Sequence, residues 1–256
     1  MIDAPQMTAV EPSRRILGVR FFIGTASRAV DIGMRGGLVV VPAAPALVEL
    51  GHDLPYREAL LNADLAITDS ALMVLSWWII AHERLPRVSG LEYLKLLLTR
   101  PEFRKPGAVL WIMPTPLARE RNLHWLRSKG IPTTDDDCYV APVYPKGELS
   151  DPELLERIHL QRPAHIVVGL GGGVQERLGL YLKRNLDYLP GIHCIGAAIG
   201  FLSGEQVRIP PWADFLYLGW LFRCVSEPKK FVPRYWRARK LVALMRKYRD
   251  QMPGVA

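Results

Sequence analysis

Cysteine is scarce in this chain. Cys138, Cys194 and Cys224 are far apart, odd in number and form no C-x-x-C pair, which argues against a disulfide framework or a cysteine metal site and fits a reducing compartment. The six histidines include no i, i+4 pair and no His-Glu-x-x-His, so no zinc site is expected. Ser203 lacks a G-x-S-x-G elbow, which leaves a serine hydrolase without support. Internal repeats and low-complexity tracts are missing too. No apolar run reaches the roughly 20 residues that span a bilayer; the most apolar one, Ala71 to Ala81, reads as a buried helix. Asp3 stands where a signal peptide would carry Lys or Arg, and no apolar block follows it, so secretion is not expected.

The chain has 256 residues, 49% of them hydrophobic, enough for a large core. Its charge is unevenly placed. Of 33 basic and 25 acidic residues, ten and two lie between Arg223 and Asp250, which leaves 23 of each sign elsewhere. The tail therefore carries the whole net charge of +8.

Short runs rich in Val, Ile and Phe alternate with helical periodicity along the chain. Strands are expected at Ile16 to Gly24, Leu38 to Val41, Leu65 to Thr68, Val109 to Met113, Cys138 to Val143, Ala164 to Gly169 and His193 to Ala198. The alternation predicts an α/β fold, a Rossmann-like and mostly parallel sheet with helices on both faces, followed by a basic helical C-terminal appendage. The expected organisation is a polar lead at 1–15, a core at 16–207 and the appendage at 208–256. Ligands on such sheets bind beyond the C-terminal ends of the strands, which singles out the segments after Val41, Thr68, Met113, Gly169 and Ala198.

Gly169, Gly171, Gly172 and Gly173 stand between an expected strand and helix, where backbone N–H groups and the helix dipole hold phosphate. The dinucleotide fingerprint is broken at Val174, so a nucleotide-dependent oxidoreductase is disfavoured, and a packing turn is the competing reading of the loop. Gln175 and Glu176 open the helix facing that crevice. Asp69 follows a short buried strand and is either a general base or an N-cap of the apolar helix after it. Arg87, in a Pro-Arg-Val-Ser-Gly loop, is either a diphosphate clamp or a solvated charge. Asp135-Asp136-Asp137 contains D-x-D but precedes a strand, the wrong end of the sheet, and reads as a solvated turn.

In the tail, Trp212, Phe215, Tyr217, Trp220, Phe222, Phe231, Tyr235 and Trp236 accompany the basic cluster. Ala238, Leu241, Val242, Met245 and Tyr248 share one face of the last helix. An anionic membrane surface, packing on the core and a nucleic-acid patch are the three readings of that pattern, with the membrane preferred.

Taken together, Tyr56-Arg-Glu-Ala-Leu, Ala63 to Asp69, Arg87-Val-Ser-Gly90, Val168-Gly-Leu-Gly171 with Gln175-Glu176, Phe201-Leu-Ser-Gly204, Arg208-Ile-Pro-Pro-Trp212, and Trp220-Leu-Phe-Arg223 leading to Glu227-Pro228 and Arg234-Tyr235 resemble the bacterial WecG/TagA/CpsF glycosyltransferases. The resemblance runs from about Val39 to Tyr235. It implies transfer of a hexose or N-acetylhexosamine-type sugar, with inversion, from a UDP-sugar to a polyprenyl-diphosphate-linked acceptor in cell-surface polysaccharide synthesis. The enzyme would act as a cytoplasmic protein on the inner face of the membrane, with a homo-oligomer compatible and no nucleic-acid partner or organic cofactor. Asp69 then matches the general base, and Arg87, Gly171, Gln175 and Glu176 line the nucleotide-sugar pocket. Arg223, Lys230 and Arg234 neutralise the departing diphosphate. A non-catalytic relative that binds nucleotide-sugar or lipid is the alternative.

The chain departs from the family pattern at four places. Pro42-Ala-Ala-Pro45 replaces Thr-x-Asn-Pro, and Gly173-Val-Gln-Glu replaces Pro-Lys-Gln-Glu. Ile199-Gly-Phe201 replaces Phe-Asp-Phe, and Asp69-Ser70 replaces Asp-Gly.

Overall fold

The computed structural model describes residues 11–206 and 219–255, with Lys230 described by its backbone alone. The proposed boundary near Arg208 to Pro211, and with it Trp212, Phe215 and Tyr217, lies outside the described residues.

Eight strands form one sheet: β1 (Ser13–Ile16), β2 (Val19–Phe22), β3 (Gly37–Val40), β4 (Leu65–Ala66), β5 (Val109–Met113), β6 (Cys138–Val140), β7 (His165–Val168) and β8 (Gly191–Cys194). Their order is β1-β2-β4-β3-β8-β7-β5-β6, and every pair except β1–β2 is parallel. This is the expected α/β architecture.

Alternation along the central strands decides where the core sits. Leu38, Val40, Ile166, Val168, Ile192 and Cys194 point to one face. Val39, Val41, Trp111, Met113, Val167 and Ile195 point to the other. Successive residues of a strand face opposite sides, so a sheet covered twice needs apolar residues at every position. On the first face lie α2 (Ala44–Leu47), α3 (Leu54–Leu61), α4 (Ala71–Ala81), α7 (Pro152–Gln161) and α8 (Val174–Asn185); on the second lie α1 (Ala26–Gly33), α5 (Gly90–Leu97), α6 (Pro116–Ser128) and α9 (Ala198–Ser203).

Two expected strands are corrected. The run from Ile16 to Gly24 is a hairpin, because Leu17 and Gly18 both take positive φ (48° and 76°) and turn the chain back on itself. Leu17 holds this unfavourable conformation because it is buried and its N–H donates to the Arg249 carbonyl at 2.7 Å. The strand expected at His193 to Ala198 lies instead at Gly191–Cys194, and Ala198 opens helix α9.

The tail continues as α10 (Gly219–Ser226), α11 (Pro228–Ala238) and α12 (Lys240–Tyr248). Helix α11 packs on α2, and α12 packs on α4. Ala238, Leu241 and Met245 are fully buried in the same cluster as the sheet residues. The apolar face of the last helix is therefore occupied by core packing, the second of the three readings of the tail. Burial of a Leu or Met side chain contributes about 1.5–3 kcal/mol, so α12 is an integral part of the body.

Candidate functional site

Four adjacent strands, β4, β3, β8 and β7, end side by side, and the segments leaving them meet over β3 and β8. Asp69 follows β4. Ser70, not Asp69, is the N-cap of α4, its hydroxyl accepting from Met73 N–H at 3.2 Å. The Asp69 carboxylate reaches across instead: Oδ1 accepts from the Gly90 N–H at 2.9 Å, at the first turn of α5. The N-terminus of α5 thus faces this carboxylate, a setting that favours negative charge. Its side chain remains 27% exposed.

The loop from Arg84 to Gly90 is stitched to the same strand end. Thr68 Oγ1 donates to the Pro86 carbonyl at 2.6 Å and accepts from Val88 N–H at 3.3 Å. Arg87 Nε donates to the Asp69 carbonyl at 2.8 Å, and its Nη2 lies 4.0 Å from Asp69 Oδ1. Arg87 therefore sits beside the candidate base and orients its loop. Gly90 permits the arrangement: a Cβ there would stand 2.9 Å from Val41 Cγ1 and 3.7 Å from the Ile195 carbonyl, at the ends of β3 and β8.

The glycine loop closes the other side. Gly173 takes φ +93°, which an L side chain adopts only with strain, and serves as the N-cap position of α8. Glu176 turns back under it, Oε2 accepting from Gly173 N–H at 2.6 Å. Its Oε1 accepts from Gln175 Nε2 at 3.0 Å, and Gln175 Oε1 accepts from Gly196 N–H, just past β8, at 2.6 Å. Gln175 and Glu176 are 2% and 0% exposed. The structure places this pair beneath the loop as braces between β7 and β8, with Gly171 above them, where a Cβ would meet nothing within 4 Å.

Burial pushes the Glu176 carboxyl up to about 7, against the pull of its Gln175 and backbone hydrogen bonds and of Arg177. Tyr56, fully buried nearby on α3, has its hydroxyl raised by burial and by the Glu176 and Asp53 charges. Arg177, which the sequence reading passed over, ties the loop outward: Nε donates to the Gly173 carbonyl at 3.1 Å, and Nη1 to the carbonyls of Pro145 (3.1 Å) and Gly147 (2.6 Å). Its only signal was a cation in the first turn after a glycine loop.

The tail enters the site from above. Arg234 on α11 brings Nη2 to 3.9 Å from where a Gly172 Cβ would stand, while Ala46 of α2 lies at 3.6 Å from the same point. Arg223 on α10 stacks its guanidinium 4.5 Å from the Phe201 ring centroid on α9 and donates from Nη1 to Tyr235 Oη at 3.4 Å. Its buried Nε has no hydrogen-bond partner among the described residues. Burial lowers the Arg234 guanidinium, and neighbouring Arg223 pushes the same way, opposed by Tyr235 and Glu176. Neither arginine is ion-paired to a carboxylate among the described residues. The Lys230 side chain lies outside the described residues.

Asp135 is engaged elsewhere, 3.1 Å from both Arg119 and Arg127, and Asp137 caps the turn at Thr134. The D-x-D run is thus a paired turn at the far end of the sheet. Among the described residues, no three His, Cys, Asp or Glu side chains gather as a metal site.

At the strand ends of the doubly covered sheet, the Asp69 carboxylate, the glycine loop and the half-buried Arg234 beside Gly172 make up the candidate site. The model of the WecG/TagA/CpsF family of glycosyl transferases matches residues 14–253, and the chain belongs to that family. No curated protein matches the chain.

Proposed function

We propose that the chain moves a hexose or N-acetylhexosamine-type sugar from a UDP-sugar to a polyprenyl-diphosphate-linked acceptor, with inversion, at the inner face of the cytoplasmic membrane. The observation that carries this reading is a pair of half-buried tail arginines without a carboxylate partner among the described residues: Arg234 beside Gly172, and Arg223 on the Phe201 ring with its Nε buried and unpartnered. Guanidinium groups drawn partly out of water favour an anion, and a diphosphate at the N-terminus of α8 supplies one.

Asp69 acts as general base in this reading. Its carboxylate takes the proton from the acceptor hydroxyl as that oxygen bonds to the anomeric carbon. The bond from this carbon to the UDP oxygen breaks, and the electron pair leaves with the diphosphate. Arg223, Arg234, the Gly171 to Gly173 N–H groups and the α8 dipole then meet the charge that develops. Arg87 acts as a positioning residue for Asp69, and Gln175 and Glu176 do the same for the loop. One displacement at one carbon inverts its configuration.

The test is transfer from a panel of UDP-sugars to a synthetic prenyl-diphosphate acceptor, with the product anomer read by NMR. Turnover with one donor is expected, with the opposite anomeric configuration and a loss of about 10²–10⁴-fold in Asp69→Asn. Equal rates in the two proteins, or inertness of both across the panel, would remove the reading.

A further inference from the structure

Helix α4 follows Asp69 directly, and Ser76 is its one polar residue. One face packs on the sheet through Met73, Val74 and Trp77. The opposite face leaves Leu75, Trp78 and Ile79 exposed, Ile79 to 72%. These positions stand at i, i+3 and i+4 and so form a single stripe. Exposed stripes of this kind mark a contact with something apolar.

The neighbours of the stripe say what that is. Arg84 stacks its guanidinium 4.7 Å from the Trp78 ring centroid. Helix α12, packed directly against α4, presents Arg246 and Lys247 to solvent, and Arg249 follows it. At the other end of α12, Arg239 lies over the Trp236 ring, 3.4 Å from its centroid, and Trp236 and Val232 are exposed on α11. The acidic residue nearest the stripe, Glu83, is consumed by Arg14 and by Trp77 Nε1. An apolar stripe beside a cationic helix, with indole rings under guanidinium groups, has the composition of an element lying in the plane of an anionic bilayer. No described helix is long and apolar enough to cross a membrane, so the contact is one of lying on, not spanning.

We propose that the outer face of α4, through Leu75, Trp78 and Ile79, inserts into the headgroup and acyl boundary of an anionic lipid bilayer, with α12 supplying the adjoining cations. This deepens the proposed action at a membrane surface: it assigns the apolar contact to the core helix that begins at the candidate base. Seating α4 in the lipid would hold the Asp69 crevice at the depth where a lipid-linked diphosphate lies.

The test uses the full chain and the triple variant Leu75→Ser, Trp78→Ser, Ile79→Ser on vesicles of phosphatidylglycerol and phosphatidylcholine. The variant is expected to float at least ten-fold less well, with its Tm and its transfer to a short, water-soluble acceptor unchanged. In the unsubstituted chain, lipid brominated along the acyl chain is expected to quench fluorescence that Trp78→Phe removes. Equal flotation of the two proteins overturns the proposal. So does a stripe whose loss changes only the oligomeric state in sedimentation, since that assigns the face to a second copy of the chain. Should neither protein transfer any sugar while flotation still depends on the stripe, the transferase reading fails and the surface stands.

Discussion

Asp69 Oδ1 accepts a 2.9 Å hydrogen bond from the backbone N–H of Gly90, twenty-one residues further on and on the other side of a loop crossing. The candidate base is thus aimed by a helix of the opposite layer, and the aim depends on there being no side chain at position 90. Gly90→Ala would place a methyl 2.9 Å from Val41 Cγ1 and force α5 away. A misplacement near 1 Å costs on the order of 10²-fold in rate. We expect kcat to fall by about 10–100-fold while the KM for donor changes little, measured by steady-state transfer.

Glu176 makes stability depend on pH. Its folded-state value, about 7, lies above the ordinary 4.5, so the folded protein binds the proton more tightly than the unfolded chain. The stabilisation is complete below about pH 4.5 and is lost as pH rises through about 7. The linkage amounts to about 3 kcal/mol in all, of which about 1 kcal/mol falls between pH 6.5 and 8.5. Urea unfolding across that interval is expected to show the decline, and Glu176→Gln to flatten it.

The buried pair His165 and His193 acts with the opposite sign. Tyr93 Oη lies 2.8 Å from His193 Nδ1, and His193 Nε2 lies 3.3 Å from His165 Nδ1, a chain satisfied by one proton per ring. Burial pushes both imidazoles below 6.5, most strongly at His193. The unfolded chain then takes up protons that the folded one refuses, so this stabilisation is present above about pH 6.5 and lost as pH falls below it. His193→Gln should move the acid unfolding midpoint to lower pH, as followed by circular dichroism.

Leu241, fully buried between α12 and the core, separates packing from docking in the tail. Leu241→Ala is expected to cost about 2–5 kcal/mol of unfolding free energy. For the same reason, removing residues 223 to 256 would strip Ala238, Leu241 and Met245 from the core, and loss of flotation in such a truncation would report unfolding. Substitutions of exposed residues are the cleaner instrument.

The sheet was legible in the sequence because Val- and Ile-rich runs alternate with helical ones. The hairpin at Leu17 was not, since a buried leucine in a left-handed turn is held by the distant Arg249 carbonyl, which no local pattern reports. Asp69, Arg87, Gln175 and Glu176 were legible as motif positions. Their division into a partly exposed carboxylate and a buried bracing pair follows from the depth at which β7 and β8 end, a tertiary property. The basic tail was legible as charge, but the burial of its last apolar face depends on α4 and α2 being there to receive it.

The central claim is that tail arginines and the glycine loop together hold a diphosphate. Calorimetric titration of UDP into the full chain and into Arg223→Ala/Arg234→Ala tests it most directly. Loss of two charge-assisted contacts, each worth about 1.5–3 kcal/mol, predicts affinity for UDP at least ten-fold weaker, with affinity for uridine unchanged. Equal binding of UDP by the two proteins, or no binding by the unsubstituted one, would contradict the account.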